Sequence, residues 1–128
     1  MNINVRTLGD VTVLELSGDL ALAGNTLFRK QAAAIIDAGA RKLVVDMAHV
    51  GYMDSSGLGE LISCYTALQK MSGRIALLQL NHRLQHLLSI TKLNKVFEVF
   101  DSETAALAGF TPRVESEVPG DEDTAGLS

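Results

Sequence analysis

The chain has 128 residues, enough for one hydrophobic core and too few for two ordinary domains. Apolar residues make up 47% of it but aromatic ones only 5%, so Leu, Val, Ile and Ala must build the core, as suits an α/β layer structure. The net charge of −4 is uneven: Arg113 to Ser128 holds five acids against one base, while residues 1–112 balance at ten of each, which excludes a basic nucleic-acid footprint. Cys64 is the single cysteine, so an internal disulfide and a multi-cysteine metal site are both excluded; its expected role is that of a small buried hydrophobe. The N-terminus lacks a basic leader, and no apolar run approaches the ~18 residues of a membrane span, so the expected product is soluble and cytoplasmic.

In chain order, Ile3–Thr7 and Val11–Ser17 alternate as two strands about a Gly9-Asp10 turn and predict a hairpin. Helical spacing of Leu27, Phe28, Ala32, Ile35 and Ile36 predicts a helix over Asn25–Asp37, with Asn25 as its N-cap and Gly39 closing it. The continuous run Leu43-Val44-Val45 predicts a central strand covered on both faces. A second helix is expected from Asp54–Ser56 to Ser72-Gly73, carrying Leu58, Leu61, Ile62, Tyr65 and Leu68. Ile75–Leu80 reads as a further buried strand, and Asn81 as the cap of a short helix carrying Leu84, Leu87 and Leu88. Val96–Phe100 and Ser102–Phe110 complete the pattern as strand and helix. Strands alternating with helices imply crossovers and a mostly parallel sheet packed against helices. Residues 1–112 are thus expected to form the domain, and the acidic, aperiodic 113–128 a disordered tail.

The informative segment is Val50-Gly51-Tyr52-Met53-Asp54-Ser55-Ser56-Gly57-Leu58-Gly59, between a buried strand and an amphipathic helix. Asp54 or Ser55 suits the helix cap, and an acid there also suits the positive helix end. Capping leaves Gly57 and Gly59 unexplained, since each glycine within a helix costs about 1 kcal/mol relative to Ala. Close approach of a neighbouring loop and close approach of a partner protein are equally good accounts. Two serines at an exposed helix start also form an acceptor site for a kinase, where a phosphate would add about −1.5 to −2 charges.

This segment, together with Leu16-Ser17-Gly18-Asp19-Leu20 and Thr91-Lys92-Leu93-Asn94-Lys95-Val96-Phe97, resembles the STAS domain family, specifically its anti-sigma factor antagonists. The resemblance runs in order and spacing from about Ile3 to Phe110. It implies that Ser55 is the phosphorylated serine and that the unmodified protein binds an anti-sigma factor, which is also its ATP-using serine kinase, to release a sigma factor. It further implies a serine phosphatase that restores the active form. Carried over by position, Asp54, Ser55, Ser56, Gly57 and Leu58 face the kinase, beside the Gly18-Asp19 loop. The chain departs from many relatives at Ala21, where they carry a second acid.

Other chemistry is poorly supported. Ser55 and Ser56 lack the Gly-x-Ser-x-Gly elbow, no phosphate-binding loop is present, and no enzyme activity or cofactor is expected. His82 and His86 share a helix face but have no carboxylate or cysteine nearby in sequence, so no metal is expected; His49 reads as a polar strand end. The alternative function is that of a STAS subunit in a signalling scaffold or membrane transporter complex, with no phospho-switch.

Overall fold

Alternation of apolar residues at the start of the chain produces strand β1 (Asn2–Leu8) and strand β2 (Val11–Ser17). They pair antiparallel from Asn2 opposite Ser17 to Leu8 opposite Val11, across the Gly9-Asp10 turn. The computed structural model describes residues 1–110; the expected acidic tail lies outside the described residues. After β2 follow helix α1 (Ala23–Asp37), strand β3 (Lys42–His49), helix α2 (Ser55–Lys70) and strand β4 (Arg74–Leu78). Helix α3 (His82–Ile90), a 3₁₀ turn (Leu93–Lys95), strand β5 (Glu98–Phe100) and helix α4 (Glu103–Phe110) complete the described chain.

The five strands lie in the order β1-β2-β3-β4-β5, antiparallel at the first pair and parallel at the other three. The sheet is mixed, and β3 is central, as its unbroken apolar run predicts. Pleating splits that run: Leu43 and Val45 join one buried cluster, Val44 the other. On the first face lie Phe28, Ala32 and Ile36 of α1, Leu58, Leu61, Cys64 and Leu68 of α2, and Leu84 and Leu88 of α3. On the second, Val11, Val13, Ala76 and Leu78 pack with Ala106 of α4. Arg6 ties this smaller layer down by bonding both Glu15 of β2 and Glu103 of α4.

Several expected boundaries are corrected. Helix α1 begins at Ala23 with Leu22 in the cap position and no side-chain cap, so Asn25 is not its N-cap but a buried residue of the first turn. Leu27 and Ile62, placed on core stripes from their spacing, are 39% and 37% exposed, because each sits one position off the row its helix buries. Strand β4 stops at Leu78 because Gln79 turns to φ 57°, although Leu80 returns to the core. Strand β5 is short because the 3₁₀ turn holds the preceding segment, with the Phe97 amide donating to the Leu93 carbonyl at 3.0 Å. Asn81 caps α3 as expected, accepting from the Leu84 amide at 2.8 Å. No described helix is long and apolar enough to cross a membrane.

Candidate functional site

Two connections meet at the carboxyl ends of the central strands, the position at which sites gather in parallel sheets. One runs from β2 to α1 through Gly18-Asp19-Leu20-Ala21-Leu22; the other runs from β3 to α2 through Val50–Asp54. They are stitched together by backbone bonds from Gly18 N–H to the His49 carbonyl (3.1 Å) and from Leu20 N–H to the Tyr52 carbonyl (3.0 Å). Leu20 and Met53 also form a parallel bridge, both buried. Asn81 braces the second connection from α3 by donating to the Val50 carbonyl at 3.3 Å.

Three glycines keep the space around the first connection clear, and one of them, Gly57, lets the two connections meet. Gly18 adopts φ +113°, and a β-carbon there would lie 3.1 Å from Met1 Cα. A β-carbon on Gly24 would stand 2.4 Å from the Asp19 carbonyl oxygen, and one on Gly57 only 1.9 Å from that of Leu20. The open question about Gly57 is thereby answered within the chain: a neighbouring loop occupies the space. Gly59 differs, because a β-carbon there would meet nothing within 4 Å.

At the start of α2, Asp54 is the N-cap in extended conformation, and its Oδ1 accepts from the Gly57 amide at 2.7 Å. The same oxygen accepts from the Ser56 hydroxyl at 2.7 Å. Ser56 Oγ in turn accepts from Asn25 Nδ2 at 2.7 Å, joining α1 to α2. The Ser56 hydroxyl bond, followed by the Gly57 amide, holds the Asp54 carboxyl below its ordinary range. Ser55 stands apart: it is exposed, occupies the first position of α2, and its hydroxyl makes no hydrogen bond among the described residues.

Of the residues expected at the partner surface, Gly18, Asp19, Ser55 and Ser56 are exposed and Asp54 is half-buried beside them. Gly57 and Leu58 lie beneath that surface rather than on it; Leu58 is part of the core. Sequence reasoning missed Asn25, whose only legible signal was a polar residue on the buried row of α1. It also missed Leu22, which is 85% exposed at φ 53°, a conformation unfavourable for any side-chain-bearing residue. Tyr52, 46% exposed, adds a second apolar group to this rim. Between α1 and α2, Arg29 bonds Glu60 through Nε at 3.0 Å and fixes the two helices side by side.

His82 and His86 line an open cavity of about 770 Å³ beside α3 and β5, which also brings Asp101 to its wall. Among the described residues no three His, Cys, Asp or Glu side chains gather closely enough to hold a metal ion.

Comparison with known proteins places this geometry. The STAS domain family model matches residues 2–106. The anti-sigma F factor antagonist of Paenibacillus polymyxa is 30% identical over 98 residues, covering 76% of this chain and 84% of that protein. An anti-sigma factor antagonist structure from Mycobacterium paratuberculosis superposes with a TM-score of 0.77 at 22% identity, covering 84% of this chain and 92% of the other. The phosphorylated form of the Bacillus cell fate determinant SpoIIAA superposes with a TM-score of 0.69 at 20% identity, over 84% and 98% of the two chains. With a family match spanning nearly all the described residues, this chain belongs to the STAS domain family, among its anti-sigma factor antagonists.

Proposed function

We propose that the protein is a phosphorylation-controlled partner switch: unmodified, it binds an anti-sigma factor in the cytoplasm and frees a sigma factor. Phosphorylation of Ser55 by that anti-sigma factor, acting as a serine kinase with ATP, ends the binding, and a serine phosphatase restores it. The observation that carries this reading is the exposed, unbonded Ser55 hydroxyl at the mouth of α2. A phosphate there would add about −1.5 to −2 charges next to an ionised Asp54. The positive end of α2 accommodates that charge within the domain, whereas an acidic or apolar partner surface pressed against it does not. Docking is lost and the fold is retained. The catalytic groups belong to the kinase and the phosphatase, so this chain acts as binding partner and phosphoryl acceptor, with no cofactor of its own.

The direct test incubates the full chain with the anti-sigma factor kinase of the same organism and Mg-ATP, followed by intact mass measurement and tandem mass spectrometry. One added phosphate at Ser55, with loss of the complex, is the expected result. No added phosphate, or a phosphate placed elsewhere than on Ser55, overturns it.

A further inference from the structure

The two adjacent serines are chemically identical and both reach solvent, yet the fold treats them differently. Ser56 Oγ sits in a chain of three bonds: Asn25 Nδ2 donates to it at 2.7 Å, it donates to Asp54 Oδ1 at 2.7 Å, and that oxygen also holds the Gly57 amide at 2.7 Å. Its proton and one of its two lone pairs are therefore engaged. No such partner holds the Ser55 hydroxyl among the described residues.

Asn25 is the unusual member of this chain. It is the one buried polar residue among the described residues, 6% exposed, and its Oδ1 is buried without a hydrogen-bond partner. An unpartnered buried carbonyl disfavours the fold, and an alanine at the same helical position would carry no such penalty. The contribution of Asn25 is instead polar contact sent across from α1: its amide nitrogen donates to Ser56 Oγ at 2.7 Å and also helps to hold the Asp54 carboxyl in its ionised form. The bond to Ser56 reaches the neighbour of the proposed phosphoryl acceptor.

We infer that Asn25 is a positioning residue which, by binding Ser56 Oγ from within α1, withholds that hydroxyl from the kinase and directs phosphorylation to Ser55. The inference rests on the phospho-switch reading above and adds to it the choice between two serines. In the transfer, a serine Oγ forms a bond to the γ-phosphorus of Mg-ATP, the bond from that phosphorus to the bridging oxygen breaks, ADP departs, and the hydroxyl proton passes to a base of the kinase. The attacking oxygen must direct a lone pair at phosphorus. Ser55 does so after a simple rotation about its Cα–Cβ bond; Ser56 keeps one lone pair, but its orientation is fixed by the bonds to Asn25 and Asp54, which must be given up before that oxygen can turn toward the phosphorus.

The test compares Ser55→Ala with the double variant Ser55→Ala/Asn25→Ala, each incubated with the anti-sigma factor kinase and Mg-ATP and read by the initial rate of phosphate incorporation at Ser56. Loss of the Asn25 bond is expected to raise that rate about fivefold, the factor that one ordinary hydrogen bond carries. In the otherwise unchanged chain, Asn25→Ala should move part of the phosphate from Ser55 to Ser56. A purely structural role would not move the site ratio. Circular dichroism checks that each variant is folded; should the alanine variant unfold, Asn25→Leu keeps the volume, removes the donor and is read in the same way. Equal rates at Ser56 with and without Asn25 overturn the inference while leaving the phospho-switch intact. Absence of phosphate at Ser55 in the unchanged protein overturns the phospho-switch itself.

Discussion

The carbonyl oxygen of Leu20 lies 1.9 Å from the point a β-carbon on Gly57 would occupy, so the β2–α1 connection rests directly on the first turn of α2. Gly57→Ala must therefore push backbone aside, and overpacking of this kind costs about 1–3 kcal/mol. Gly59→Ala should have the opposite sign, since a methyl group there enters open space and helix propensity improves by about 1 kcal/mol. Chemical denaturation of the two variants checks the contrast. If the second alanine also weakens the anti-sigma complex, Gly59 is kept bare for the partner.

Leu22 holds φ 53° and ψ −124° while 85% of its surface faces solvent. Strain of this sort costs about 1–3 kcal/mol, and part of the relief is offset by the greater freedom glycine gives the unfolded chain. Leu22→Gly should stabilise the protein by about 1 kcal/mol net. If this strained leucine is displayed for the anti-sigma factor, the same variant should bind it more weakly, and calorimetry of unfolding and of association separates the two effects.

Ser55→Ala should bind the anti-sigma factor as the unmodified chain does and resist inactivation by Mg-ATP. Ser55→Asp places a second carboxylate beside Asp54 at the docking edge and should weaken the complex about tenfold or more, a difference of about 1.4 kcal/mol. Equal affinity for the two variants would remove the electrostatic mechanism.

Acid should loosen the site in a defined direction. Asp54, held down first by the Ser56 hydroxyl, and Glu60, held down first by Arg29, both lie below their ordinary values of 3.8 and 4.5 when folded. A carboxyl whose folded value is depressed contributes stability that is present above the unfolded value and is lost as pH falls through the folded one. Stability should thus be level from neutrality to about pH 5 and fall below about pH 4. The acid limb should be shallower in Asp54→Asn, which keeps a capping oxygen without the charge; pH-dependent urea midpoints are the measurement.

Cys64 faces the core from α2 and is 5% exposed, and burial pushes its thiol up to about 12. It should react with a disulfide reagent at pH 8 only after denaturant is added, because the thiolate is the reactive form. Rapid labelling of the native protein would contradict the packing described for α2.

Much of this molecule is determined by its sequence alone, because the deciding forces there are local. The hairpin follows from alternation about Gly9-Asp10, the central strand from Leu43-Val44-Val45, and the caps of α2 and α3 from Asp54 and Asn81, each bonded to an amide three residues ahead. The family was legible for a related reason: its resemblance is carried by three short runs, Leu16–Leu20, Val50–Gly59 and Thr91–Phe97, each contiguous in sequence and set in a fixed order. What only the tertiary structure decided are contacts across long sequence separation. Whether Gly57 was bare for a loop or for a partner depended on Leu20, 37 positions earlier, and the difference between Ser55 and Ser56 depended on Asn25 in another helix. Spacing predicted Asn25 as a cap because capping is a local rule; the crossover that lays α1 against α2 turned the residue inward, where its amide could reach only the neighbouring helix.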